Sequence, residues 1–132
     1  MILIKEFEFD AAHHLTKYNG KCERPHGHTY KLVVKLEGTP NEDDLVYDFT
    51  KLKKLVKENV LCDLDHHDLN DFLPNPSAEC IAVWVWNRLQ ALITEDNCRL
   101  YHNWCHEKLK TSKDDGDDKG CYFLTWGWSQ GR

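Results

Sequence analysis

Residues 26–37 read HGHTYKLVVKLE. From 28 to 37 the apolar residues Tyr30, Leu32, Val34 and Leu36 alternate with Lys31, Lys35 and Glu37. Successive side chains of a strand point to opposite faces, so this alternation predicts a half-buried strand. The same parity carried backwards puts His26 and His28 on the apolar face. Residues 2–13 repeat the pattern: Phe7, Phe9, Ala11 and His13 share one parity, and Glu6, Glu8 and Asp10 the other. The stretch between, TKYNGKCERP at 16–25, is turn-rich. The two strands are therefore expected to pair antiparallel.

Downstream the period changes. GTPNEDDL at 38–45 reads as a loop, and DFTKLKKLVKENVL at 48–61 places Phe49, Leu52, Leu55, Val56 and Val60 at helical spacing, with Asp48 as N-cap. A second helix is expected to begin near Asn75-Pro76-Ser77, with Asn75 or Ser77 as the cap and Ile81, Trp84, Val85, Leu89 and Leu92 as its buried stripe. CRLYHNWCHEK at 98–108 alternates weakly and reads as a strand. A charged loop follows at about 108–120, and CYFLTWGW at 121–128 reads as a closing strand. DDGDD within that loop lacks the spacing and terminal glutamate of an EF-hand and is read as solvated. Strands and helices in separate blocks indicate an α+β fold: an antiparallel sheet with two helices packed on one face.

The chain has 132 residues, 41% hydrophobic and 30% charged, which suits one domain spanning 1–132. A net charge of −5 argues against a sequence-independent nucleic-acid binder. The first residues, MILIKEFEFD, do not form a signal h-region, and no run approaches a membrane span. A cytoplasmic location is expected. The 6 cysteines include no C-x-x-C pair, so a disulfide framework is not expected there.

Three groups of residues carry chemistry. His26 and His28 lie two apart on one strand, and His13 ends its neighbour on the same kind of face. Three neutral imidazoles converging on one point form a catalytic zinc site whose fourth position is open. Cys22 has three readings at this level: a fourth ligand closing a structural site, a thiolate beside the metal acting as base, or an inert thiol. Asp65 can fix the tautomer of His66 and raise its basicity, which suits proton transfer. Glu107, taken alone, is a surface glutamate.

FDAAHHL, GKC-x3-HGHTY, VYDFTKLK, LDHHDLN and NPSAE occur here in an order and spacing that resembles the 6-pyruvoyltetrahydropterin synthase superfamily. The resemblance covers residues 5–93 and is strongest to the 6-carboxytetrahydropterin synthase branch. It implies a tunnelling fold (T-fold) that closes into barrels as a trimer or hexamer, with active sites at subunit interfaces. It implies zinc on His13, His26 and His28, Cys22 as general base rather than ligand, and Asp65 with His66 as a proton relay. It places Glu107 on the guanidine-like edge of a pterin, where a carboxylate accepts two N–H bonds. Lys21 is a candidate for holding the triphosphate. Lys108 stands where the family has threonine, and His102, Asn103 and His106 stand where apolar residues are expected.

The activity so implied is conversion of 7,8-dihydroneopterin triphosphate to 6-carboxy-5,6,7,8-tetrahydropterin, acetaldehyde and triphosphate, on the route to 7-deazaguanine-modified tRNA (queuosine or archaeosine). The alternatives are 6-pyruvoyltetrahydropterin synthase, which eliminates triphosphate without carbon–carbon cleavage, and a non-enzymatic zinc-stabilised module.

Overall fold

Tyr30, Leu32, Val34 and Leu36 are all fully buried, on the central strand of a three-stranded antiparallel sheet. The structure is a computed structural model that describes residues 1–16 and 24–108, without the side chains of 107 and 108. Strand β1 is Ile2–His13, β2 is His26–Gly38 and β3 is Cys98–Lys108, in the order β1-β2-β3. Cys22, Lys21, most of the charged loop and the expected closing strand lie outside the described residues.

The β1–β2 register places Phe7 opposite Leu32, Phe9 opposite Tyr30, Ala11 opposite His28 and His13 opposite His26. The Phe9 and Tyr30 rings stack with centroids 5.0 Å apart. Burial of these rings and aliphatic chains drives the pairing and fixes the register, because a one-residue slip would send every apolar side chain to the other face. β2 begins at His26, two residues before the expected start, so both histidines stand on the strand itself.

One face of the sheet is covered by helices. Helix α1, Phe49–Val56, starts at Asp48, whose carboxylate accepts from Thr50 N at 2.8 Å. It continues through a π-helical turn, Lys57–Leu61, into α2, Cys62–Leu64. The fully buried residues are Leu52, Val56, Val60 and Leu64, spaced by four throughout. On a regular α-helix each four-residue step rotates by about 40°, so such a stripe would wind away from the sheet. The wider π turn offsets that drift and keeps all four side chains inward. It also disturbs the helical hydrogen bonding, and Asn59 donates its side-chain N–H to the Leu55 carbonyl at 2.9 Å. Phe49 does not join the stripe: it is 51% exposed and lies under Lys5 Nζ, 5.5 Å from the ring centroid.

Helix α3, Ala78–Leu92, is capped by Ser77, which accepts from Cys80 N at 3.2 Å. Asn75 instead accepts from Thr16 N at 3.0 Å and ties down the chain leaving β1. The buried stripe of α3 is Ile81, Ala82, Val85, Trp86 and Leu89. Trp84 and Leu92, expected in that stripe, are only half-buried; Trp84 packs against Phe72 and beneath Arg88.

The polar residues of β3 have a geometric explanation. A bulge opposite Lys35 and Leu36 shifts the register, so that Asn103 faces Val34 and Cys105 faces Leu32. Asn103 is therefore turned to the core, where its amide donates to the Ala82 carbonyl of α3 at 3.1 Å. His102 and His106 pair with Lys35 and Lys31, and so belong to the face without helices. Among the described residues the order matches the first five of the expected strand, strand, helix, helix, strand, strand, and the class is α+β. No described helix is long and apolar enough to cross a membrane.

Candidate functional site

The paired ends of β1 and β2 bring His13, His26 and His28 together. Ring centroids are 4.6 Å apart for His13–His26, 5.1 Å for His13–His28 and 4.5 Å for His26–His28. One nitrogen from each ring lies within 4.8 Å of the others, which makes the three a potential metal-holding group.

The hydrogen bonds set the tautomers. His13 Nδ1 lies 2.6 Å from the Pro76 carbonyl, and His26 Nδ1 lies 2.7 Å from the Arg24 carbonyl. A carbonyl only accepts, so each Nδ1 must carry the proton and donate it. In the neutral rings the Nε2 atoms are then bare acceptors. Those of His13 and His26 face each other at 3.0 Å. Two lone pairs at that distance repel unless a cation or a proton stands between them. His13 is 2% exposed, and burial pushes its imidazole below the ordinary histidine value. The Pro76 carbonyl bond opposes that shift, while His26 and His14 add to it. Neutral imidazoles are the metal-binding form, and a carbonyl behind the distal nitrogen is the usual support of a ligating histidine. Zinc–nitrogen bonds of ~2.0–2.1 Å at tetrahedral angles separate ligand nitrogens by roughly 3.3 Å, so the donor set fits such an ion.

The second centre forms where the helical segment ends. After Leu64 the backbone extends at Asp65, and His66 turns left-handed at φ 58°. Residues 66–68 then run beside the outer edge of β1. His66 N donates to Asp10 O at 2.6 Å, Ala12 N donates to His67 O at 3.0 Å, and Ala12 bridges Asp68 in parallel. Asp65 Oδ1 accepts from Asp10 N at 3.0 Å and lies 2.9 Å from His66 Nδ1. The Asp10 amide first, and His66 after it, hold the Asp65 carboxyl below the usual carboxylate range, with burial opposing. The His66 side chain is 77% exposed. A non-glycine residue held at positive φ is strained, and such strain concentrates at functional sites.

A cleft of about 680 Å³ is lined by His28 of the triad and His66 of the second centre, together with Gly27, His67, Asp10 and Asp68. Of the eight residues singled out from the sequence, the structure brings His13, His26 and His28 together in one group and Asp65 and His66 together in another. Glu107 is placed by its backbone, directly across β2–β3 from Tyr30. Cys22 and Lys21 are not described. Sequence reasoning missed Asp10, Thr29 and the two carbonyls behind the histidines. Asp10 reads as one more solvent-side residue of an alternating strand, and backbone acceptors leave no mark in a sequence.

Residues 2–113 match the family described as 6-pyruvoyl tetrahydropterin synthase. The chain belongs to that family. A 6-carboxy-5,6,7,8-tetrahydropterin synthase of Synechocystis is 41% identical over 96 residues, covering 67% of this chain and 74% of that protein. A dihydroneopterin monophosphate aldolase of Pyrococcus furiosus is 40% identical over 94 residues, covering 71% and 79%. Among solved structures, the 6-pyruvoyl tetrahydropterin synthase of Caenorhabditis elegans superposes with a TM-score of 0.69 at 25% identity, covering 83% of this chain and 96% of that one. The family fold is thus the T-fold.

Proposed function

We propose that this protein is a 6-carboxy-5,6,7,8-tetrahydropterin synthase: a zinc-dependent lyase converting 7,8-dihydroneopterin triphosphate to 6-carboxytetrahydropterin, acetaldehyde and triphosphate. The observation that carries this reading is the convergence of His13, His26 and His28, one nitrogen of each within 4.8 Å of the others and so suited to a Lewis-acidic ion. An aspartate-backed histidine suited to proton transfer, His66, lines a cleft that reaches His28 of that triad. The 41% identity to the Synechocystis enzyme of that name supports it.

In this reading His13, His26 and His28 hold zinc, which supplies Lewis acidity toward the hydroxyls of the pterin side chain. His66 has its Nδ1 committed to Asp65, so Nε2 is the atom that gives and takes protons. Asp65 fixes the ring and balances the charge the proton brings. Cys22 moves a proton at the side-chain carbon. Glu107 accepts the guanidine-like edge of the pterin, and Lys21 meets the triphosphate. The working form is a homo-oligomer, trimer or hexamer, whose sheets close into a barrel with sites between subunits. It acts in the cytoplasm, in 7-deazaguanine biosynthesis.

The similarity to the Pyrococcus furiosus aldolase favours a second reading, cleavage of dihydroneopterin monophosphate. Both readings break a carbon–carbon bond of the side chain, and both need the same triad and relay. One experiment separates them: the purified, zinc-loaded protein is incubated with each phosphate in turn and the products are identified. Acetaldehyde and 6-carboxytetrahydropterin from the triphosphate are expected. A phosphorylated two-carbon aldehyde from the monophosphate alone would establish the second reading. Triphosphate release without a carbon fragment would establish the pyruvoyl alternative, and no turnover with stoichiometric zinc the structural one.

A further inference from the structure

Asp10 touches the relay in three ways. Its N–H donates to Asp65 Oδ1 at 3.0 Å, and its C=O accepts from His66 N at 2.6 Å. Its carboxylate contributes the third member of a cluster in which one atom each of Asp10, Asp65 and His66 lies within 4.8 Å of the others. The two peptide contacts follow from the strand: the even residues of β1 turn their backbone groups outward from β2, toward the loop. The carboxylate does not follow from the strand, and something must hold it. Thr29, directly opposite on β2, donates its hydroxyl to Asp10 Oδ1 at 2.5 Å.

Two carboxylates kept this close repel each other unless positive charge stands beside them. Among the described residues the His66 ring, with its Nδ1 2.9 Å from Asp65 Oδ1, carries such a charge at the moment it accepts a proton. Charges fixed in advance beside a developing charge need no reorganisation during reaction, and that is the main source of electrostatic catalysis. We infer that Asp10, anchored by Thr29, is a second positioning carboxylate of the Asp65–His66 relay. It helps to set the orientation of the ring of His66, whose backbone is held at positive φ, and stabilises the charge that proton transfer places on it. This inference rests on the relay role given to Asp65 and His66 in the proposed function.

Asp10→Asn tests it, because the amide keeps the size and the acceptor for Thr29 and removes only the charge. In the zinc-loaded oligomer, kcat is expected to fall at least about tenfold, with KM within about threefold and zinc content unchanged. Thr29→Val is expected to reproduce much of that loss, and Thr29→Ser to recover it. An Asp10→Asn variant with kcat within about twofold of the parent overturns the inference. So does loss of zinc or of assembly in that variant, which assigns Asp10 a structural role.

If the parent turns over neither phosphate, the functional reading fails, and the relay is read directly. At mildly acidic pH the rate of carbethoxylation at His66, followed by mass spectrometry, is expected to rise severalfold in Asp10→Asn, because the neutral imidazole is the reactive form and the variant stabilises the charged ring less. Equal rates in parent and variant overturn the inference independently of substrate.

Discussion

His13 Nε2 and His26 Nε2 face each other at 3.0 Å, and each ring has its Nδ1 bound to a backbone carbonyl. This relationship joins β1, β2 and the start of α3, because Pro76 supplies one of the carbonyls. A cation between the nitrogens is thus linked to the packing of three elements. Removing zinc with a chelator is expected to lower Tm, since a ligand bound only by the folded state stabilises it by mass action. His13→Ala is expected to abolish stoichiometric zinc and to remove the chelator's effect on Tm. Metal analysis and a melting curve check both.

Asp65 gives a pH prediction. Its folded value is depressed, chiefly by the Asp10 amide and then by His66. A depressed carboxylate contributes stability that is present above its unfolded value, near pH 4, and is lost as pH falls through the lower folded value. The parent is therefore expected to exceed Asp65→Asn in stability at neutral pH, and the gap to close below about pH 4. Denaturant titrations at several pH values check the sign. At neutral pH the same variant is expected to retain zinc and lose turnover by two or more orders of magnitude, as general acid–base residues do.

The α3 cap separates two readings of one stretch. Ser77→Ala is expected to cost about 1 kcal/mol, because it removes the acceptor for the Cys80 amide. Asn75→Ala leaves that cap intact and releases Thr16 instead. Its effect is expected at the exit of β1, as faster amide exchange at Thr16, with α3 amides unchanged.

The π turn makes a further prediction. Asn59→Ala removes the side-chain donor to the Leu55 carbonyl and is expected to cost about 1 kcal/mol. Leu52→Ala, in the stripe that the turn keeps inward, is expected to cost about 2–5 kcal/mol. Thermal unfolding of the two variants against the parent checks the order.

What the sequence discloses follows from the range of the interactions involved. The alternation at 2–13 and 28–37 is a local property, and by itself it places His13, His26 and His28 on one face. The α1 stripe is legible for the same reason, although Phe49 at the helix start escapes the core. Long-range contacts are not legible. The bond from Asp10 N to Asp65 spans 55 residues, and that from His13 to the Pro76 carbonyl spans 63. Nothing local distinguishes Asp10 from Glu6 or Glu8. Asn103 looks misplaced in a strand because its partner, a carbonyl of α3, lies 21 residues away. The motif around Asp65 and His66 marks both residues, while the left-handed turn that aims the His66 ring is a property of the fold.

The most direct measurement is the zinc-edge X-ray absorption spectrum of the zinc-loaded protein, with metal content determined on the same sample. The account predicts one zinc per chain, surrounded by nitrogen and oxygen at ~2.0–2.1 Å, with Cys22→Ala leaving the spectrum unchanged while turnover disappears. A sulfur neighbour at ~2.3 Å that vanishes in Cys22→Ala would contradict it, and would make the site a closed structural one.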